Sequence, residues 1–104
     1  MNEFEEKRVY ERFKIECQGH IKKDNESFFV KIINLSGQGL AFRTDKFIDN
    51  GEMLTIAIEV KNKPEPVSVF GEVIRSELVE DTIYEIGMKL DLTSWMKISQ
   101  ILSQ

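Results

Sequence analysis

Apolar and polar residues alternate along most of this chain, a period-two pattern that predicts strands. In FKIECQGHI, residues 13–21, Phe13, Ile15, Cys17, Gly19 and Ile21 share one face, while Lys14, Glu16, Gln18 and His20 share the other. KKDNES, residues 22–27, reads as a turn, and FFVKII, residues 28–33, as a short, more buried strand rich in β-branched residues. GLAFRT, residues 39–44, is a third strand, and the turn-prone DNGE follows at residues 49–52. MLTIAIEV, residues 53–60, turns Leu54, Ile56, Ile58 and Val60 inward and Thr55, Ala57 and Glu59 the other way. KNKPEP, residues 61–66, breaks the pattern, because proline fixes φ and offers no ladder donor. VSVFGEVI, residues 67–74, and TIYEIGMKL, residues 82–90, are two further strands, separated by an acidic turn around Glu80 and Asp81.

Six strands at short, even spacing predict a small β-barrel or sandwich. The tail, TSWMKISQILSQ, changes to helical spacing. It predicts a helix over residues 93–103 with Trp95, Ile98 and Leu102 on one face, Ile101 adjoining, and Thr93 or Ser94 as N-cap. Such a helix buries Trp95 against the barrel or against a partner.

Composition narrows the function classes. With 104 residues, 41% hydrophobic and 31% charged, the chain is expected to be one soluble domain spanning residues 1–104. No apolar run is long enough to cross a bilayer, so membrane insertion is not expected. The opening MNEFEEKRVYERF has no basic n-region followed by an apolar core, so no secretion signal is expected either. Cys17 is the only cysteine, which leaves no disulfide framework and no zinc cluster and suits a reducing, cytoplasmic setting. A net charge of −4 and a pI near 5.0 give no general attraction to nucleic acid or anionic lipid. An anionic partner must therefore be drawn by a local basic cluster.

RVYERF, residues 8–13, holds such a cluster: Arg8 and Arg12, four apart. Alone, the pair reads as a charged turn with Glu5 and Glu11 as ion-pair partners. Twenty-two residues after Arg12 comes NLSGQG, residues 34–39, in which Asn34 and Ser36 are turn formers and Gly37 and Gly39 allow backbone angles closed to other residues. It joins two strands. R-x-x-x-R followed by N-x-S-x-x-G resembles the PilZ domain, a family of bacterial receptors for cyclic di-GMP whose signature is R-x-x-x-R and then [D/N]-x-S-x-x-G. The later strands, VFGEVIRSE and YEIGMKLDL, are also similar to that family, and the resemblance extends over roughly residues 6 to 103.

The resemblance implies a six-stranded antiparallel β-barrel with a C-terminal α-helix, and a mobile N-terminal segment, residues 1–11, that brings in the arginine motif. It implies that Arg8 and Arg12 clamp cyclic di-GMP, that Asn34 reads a guanine edge, that Ser36 meets phosphate or base, and that Gly39 keeps the bend close and uncluttered. The chemistry suits these residues, since a planar guanidinium can fork onto guanine O6 and N7, bridge phosphate oxygens or stack on a purine. Two departures stand out. Asn34 replaces the frequent aspartate, whose carboxylate accepts from guanine N1–H and N2–H₂ together, and Gln38 replaces a frequent glycine. Lys7 is a basic residue where the family associates basic residues with a stacked ligand dimer. Gly37, Arg43 and Arg75 are secondary candidates, the arginines for a second guanine or phosphate, although outer-face charges on strands are also ordinary.

The other chemistry-bearing residues invite plainer readings. His20 reads as surface, Cys17 as a small core residue rather than a nucleophile, and Tyr10 and Trp95 as packing residues. Glu72, Glu80, Asp81 and Glu85 show no paired catalytic spacing. Two functions are expected to compete. One is a stand-alone, non-enzymatic cyclic di-GMP receptor, monomer or homodimer, that signals to an unidentified protein without metal or cofactor. The other is an interaction module of the same fold that binds no nucleotide. A barrel for single-stranded nucleic acid lacks interleaved basic and aromatic residues, so DNA and RNA are not expected partners.

Overall fold

The computed structural model describes residues 13–35, 38–60 and 63–102. Six strands, β1 (Phe13–Lys23), β2 (Glu26–Leu35), β3 (Gly39–Thr44), β4 (Met53–Ile58), β5 (Val67–Glu80) and β6 (Ile83–Leu90), precede one helix, α1 (Leu92–Leu102). Every pairing is antiparallel, and the order β1-β2-β3-β6-β5-β4 closes on itself where Gly19, His20 and Ile21 of β1 meet Ile58, Ala57 and Ile56 of β4. Of the two architectures that the strand spacing allowed, the chain adopts the barrel.

The alternation seen in the sequence becomes the inside and outside of that barrel. Ile21, Val30, Ile32, Leu40, Phe42, Ile56, Val69 and Ile86 point inward and are buried. Ile48, from the β3–β4 connection, and Ile98, from α1, add to the same core from outside the sheet. Gly19 is buried as its face predicts, and Cys17 packs against the core. The side chains of Phe13 and Ile15 lie outside the described residues.

Three strands are longer than their sequence pattern suggests, β1 by the two residues Lys22 and Lys23. β2 starts at Glu26, because the turn before it is only Asp24 and Asn25, with Asp24 at φ 57 in the left-handed region that Asp tolerates. β5 continues past Ile74 to Glu80, and register shifts occur between Val73 and Arg75 and between Leu78 and Glu80. A bulge inserts an extra residue and breaks strict alternation while the ladder carries on. That is why RSELVE does not look like strand on paper.

The helix begins one residue earlier than expected, at Leu92. Asp91, rather than Thr93 or Ser94, is the N-cap: its Oδ1 accepts the Ser94 N–H at 2.8 Å, and its carbonyl accepts the Trp95 N–H at 2.9 Å. Ser94 serves differently. Its hydroxyl oxygen accepts the Phe70 N–H at 2.7 Å and tethers α1 to β5. The buried stripe of the helix therefore runs through Ser94 and Ile98, with Trp95 half-buried at its side. Trp95 Nε1 is buried with no acceptor among the described residues, and the side chains of Ile101 and Leu102 lie outside them.

At Gly71 the β5–β6 ladder leaves no room for a side chain, since a Cβ there would clash with the Lys89 carbonyl oxygen. Gly71→Ala must therefore move backbone, and a loss of about 1–3 kcal/mol in urea unfolding is expected. Asp91 gives a pH-dependent check. The Ser94 backbone hydrogen bond, followed by its hydroxyl, holds the Asp91 carboxyl below its usual range. A carboxyl depressed in the fold stabilises it above the unfolded value of about 3.9 and loses that contribution as pH falls through the lower folded value. Asp91→Ala should lower the melting temperature at neutral pH, and the gap from wild type should narrow once pH falls below about 4.

Candidate functional site

Strand register brings the ends of the NLSGQG bend onto a continuous outer face. Asn34, at the end of β2, stands opposite Lys14 on β1 and Ala41 on β3. Ala41 stands opposite Gly87 on β6, and Gly87 opposite Arg75 on β5. One row therefore runs Lys14, Asn34, Ala41, Gly87, Arg75 across five strands. With strands roughly 4.8 Å apart, Asn34 and Arg75 are about 14 Å apart along it. The two residues between them are small, and the row is hollow: a depression of about 480 Å³ is lined by Asn34, Gly39, Ala41, Ile74, Arg75, Glu85 and Gly87.

Gly87 is required by what crosses it. A Cβ there would lie 3.2 Å from Arg75 Nε and 3.4 Å from Arg75 Nη2, so the guanidinium occupies the space over the glycine. The bulge at Val73/Arg75 positions Arg75 in the row and leaves Ile74 55% exposed at the rim.

The next row is charged. Arg43 on β3 stands opposite Lys31 and Glu85, and Glu85 stands opposite Glu77. Glu85 Oε1 accepts from Arg43 Nε at 3.3 Å and Nη2 at 3.2 Å, while its Oε2 accepts from Arg75 Nη2 at 3.2 Å. Arg75 Nη1 also donates to Glu77 Oε1 at 3.0 Å. One carboxylate thus ties together both secondary arginine candidates.

Of the expected site residues, Asn34, Gly39 and Arg75 come together in the hollow. Arg43 reaches it only through Glu85 and lines a neighbouring depression of about 650 Å³ with Cys17, Phe29, Lys31, Thr44 and Ile83. The neighbouring depression is larger but contains no residue of the bend. Lys7, Arg8, Arg12, Ser36 and Gly37 lie outside the described residues. Phe13, which follows Arg12 in the sequence, pairs with Leu35, the residue before Ser36.

Ala41, Ile74 and Gly87 were not singled out by sequence reasoning, and Glu85 was read only as a carboxylate without catalytic pairing. Gly87, a glycine inside the strand pattern YEIGMKL, carried the usual signal of close approach. His20 is half-buried rather than plain surface, with Nε2 at 2.6 Å from Ser27 Oγ and its ring 4.8 Å from that of Phe29. Among the described residues, no group of three or more His, Cys, Asp or Glu side chains could hold a metal ion, and no helix is long and apolar enough to cross a membrane.

Comparison with known proteins agrees with the fold. The PilZ domain family model matches residues 6–104. The fold is similar to the PilZ domain, with c-di-GMP, of YcgR from Escherichia coli, at 12% identity and a TM-score of 0.70, covering 88% of this chain and 86% of that one. It is also similar to the inhibitor of motility MotI (DgrA) from Bacillus subtilis, at 16% identity and a TM-score of 0.64, covering 91% of this chain. The chain spans about half of MotI, 51% of its length. At these identities the likeness is one of fold. No curated protein matches the sequence.

Cys17, which packs against the core and lines the neighbouring depression, offers a separate check. Burial, and then the charge of Glu59, push its thiol above the ordinary range. The thiolate is the reactive form, so a raised thiol is a poor nucleophile. Iodoacetamide at about pH 7.5 should alkylate Cys17 severalfold more slowly in the folded protein than in urea, as read by mass spectrometry.

Proposed function

The chain belongs to the PilZ domain family, and from that membership we propose that it is a cyclic di-GMP receptor that passes ligand binding to a protein partner. The observation that carries this is the meeting of Asn34, Gly39 and Arg75 around one hollow floored by Ala41 and Gly87, beside the point where the arginine motif joins β1. In this reading the messenger rests on the small floor with one guanine at Asn34. Arg8 and Arg12 close over it from the N-terminal side, and Ser36 and Gly39 keep the bend tight against phosphate and base.

The residue types fit the ligand's chemistry. Guanidinium groups supply planar forks for phosphate oxygens and for guanine O6 and N7. The Asn34 amide oxygen accepts from the Watson–Crick edge of guanine, and its NH₂ remains a donor. A floor without side chains lets a flat base approach the backbone. The protein does no chemistry of its own in this account. Its output is the surface formed when the arginine segment closes, offered to a cytoplasmic partner as a disorder-to-order switch.

Each arginine contributes charged hydrogen bonds of about 1.5–3 kcal/mol. Arg8→Ala and Arg12→Ala should each weaken cyclic di-GMP binding roughly 10- to 100-fold in calorimetry while the melting temperature without ligand stays put. Cyclic di-GMP at about 100 times its dissociation constant should stabilise the wild type by about 2.7 kcal/mol. GMP, cyclic AMP and oligonucleotides should not. A wild type that cyclic di-GMP fails to stabilise would instead be an interaction module built on the same barrel.

A further inference from the structure

A carboxylate on the wall of an anion site calls for a reason. Glu85 lines the hollow with Asn34 and Arg75, and its side chain is 20% exposed, against 43% for Arg43 and 42% for Arg75. It is therefore seated deeper than the cations it holds. Its two oxygens are divided between them, Oε1 to Arg43 and Oε2 to Arg75. Register adds a second oddity. Glu85 stands directly opposite Glu77 on β5, a like-charge pair that costs stability when left alone. Arg75 reconciles the two, giving Nη1 to Glu77 and Nη2 to Glu85.

A phosphate engages arginine through the same in-plane N–H groups that a carboxylate uses. Glu85 and a phosphate cannot both hold those groups of Arg43 and Arg75. We infer that Glu85 is the resident counter-anion of this site: it occupies the Arg43 and Arg75 forks until a ligand phosphate displaces it, so its charge sets how much dianionic ligand is needed for occupancy. This rests on the receptor reading and deepens it. The charges of the ion-paired groups support it, because Arg43 and Arg75 against Glu77 and Glu85 sum to zero, with Lys31 the further cation of the row. The chain as a whole, at −4, adds no attraction. Removing the Glu85 charge leaves a local surplus of one positive charge facing the hollow without touching Arg8, Arg12 or Asn34. A purely structural role predicts something else: changed stability with unchanged affinity.

The test is calorimetry with cyclic di-GMP and with inorganic pyrophosphate on the full chain, comparing wild type, Glu85→Gln, Glu85→Asp and Glu77→Gln, with thermal melts to establish folding. Glu85→Gln should bind both anions about five- to tenfold more tightly than wild type, with a steeper dependence on salt. Glu85→Asp keeps the charge on a shorter arm, should tighten binding by a smaller factor, and serves as the deciding variant if Glu85→Gln does not fold. Glu77→Gln, at a more exposed carboxylate on one fork only, should stay within about twofold. Cyclic di-GMP binding to wild type with no gain in the folded Glu85 variants overturns the inference and leaves the receptor reading standing. Pyrophosphate gained by Glu85→Gln, with cyclic di-GMP bound by no variant, refutes the receptor reading and upholds the resident anion. Binding of neither anion by any variant overturns both.

Discussion

Barrel closure rests on a short seam, and the rest of the molecule depends on it. Gly19, His20 and Ile21 pair with Ile58, Ala57 and Ile56, and this contact turns a six-stranded sheet into a barrel. A strand left at an edge exposes unpaired N–H and C=O groups, so closure satisfies backbone that would otherwise face water or another chain. Closure also requires strands to tilt and stagger, and the bulges in β1, β2 and β5 take up that geometry. Gly19 is buried at the seam, close to Ile56, Ile32 and Val30, so interior volume and closure are linked through one position.

The same stagger builds the outer surface. Asn34, Ala41, Gly87 and Arg75 come from four strands and meet only because the bulges set their register. Two positions in that row are small, and the groups at its ends are polar or charged. A flat, hydrogen-bonding, anionic ligand suits such a row: small residues permit close approach, and the polar ends fix orientation. Charge here is a local matter. The pI near 5.0 offers no long-range pull on an anion, and at physiological salt exposed charges are largely screened beyond about 8 Å. What counts is which carboxylate stands beside which guanidinium within the hollow.

α1 closes the picture from the side. Ser94 accepts the Phe70 N–H, the Asp91 N–H donates to the Phe70 carbonyl, Lys97 Nζ donates to the Ser68 carbonyl, and Ile98 enters the core, so polar contacts tie the helix to β5 and an apolar one ties it to the core. β5 therefore carries the helix near its start and Arg75 further along. Arg75 and the packing of α1 share a strand, although they occupy different stretches of it.

The sequence by itself determined which residues of β4 face inward, and that Gly19 and Ile21 of β1 do, because a period of two follows from strand geometry alone and the core selects the apolar set. In MLTIAIEV, Leu54, Ile56 and Ile58 are buried as their alternation predicts. It also determined the NLSGQG bend and the arginine pair that together carry the family resemblance, since turn chemistry and short motifs are local. Tertiary structure alone decided the rest. The far half of β5 is strand despite its broken alternation, because β6 continues to pair with it across two bulges. Asp91 rather than Thr93 or Ser94 caps the helix, because Ser94 is called away to the Phe70 N–H. Gly87 lies under Arg75, and Glu85 between Arg43 and Arg75, across sequence separations of 12, 42 and 10 residues. No local pattern encodes such pairs: they are set by strand order and stagger, which depend on how the whole chain closes.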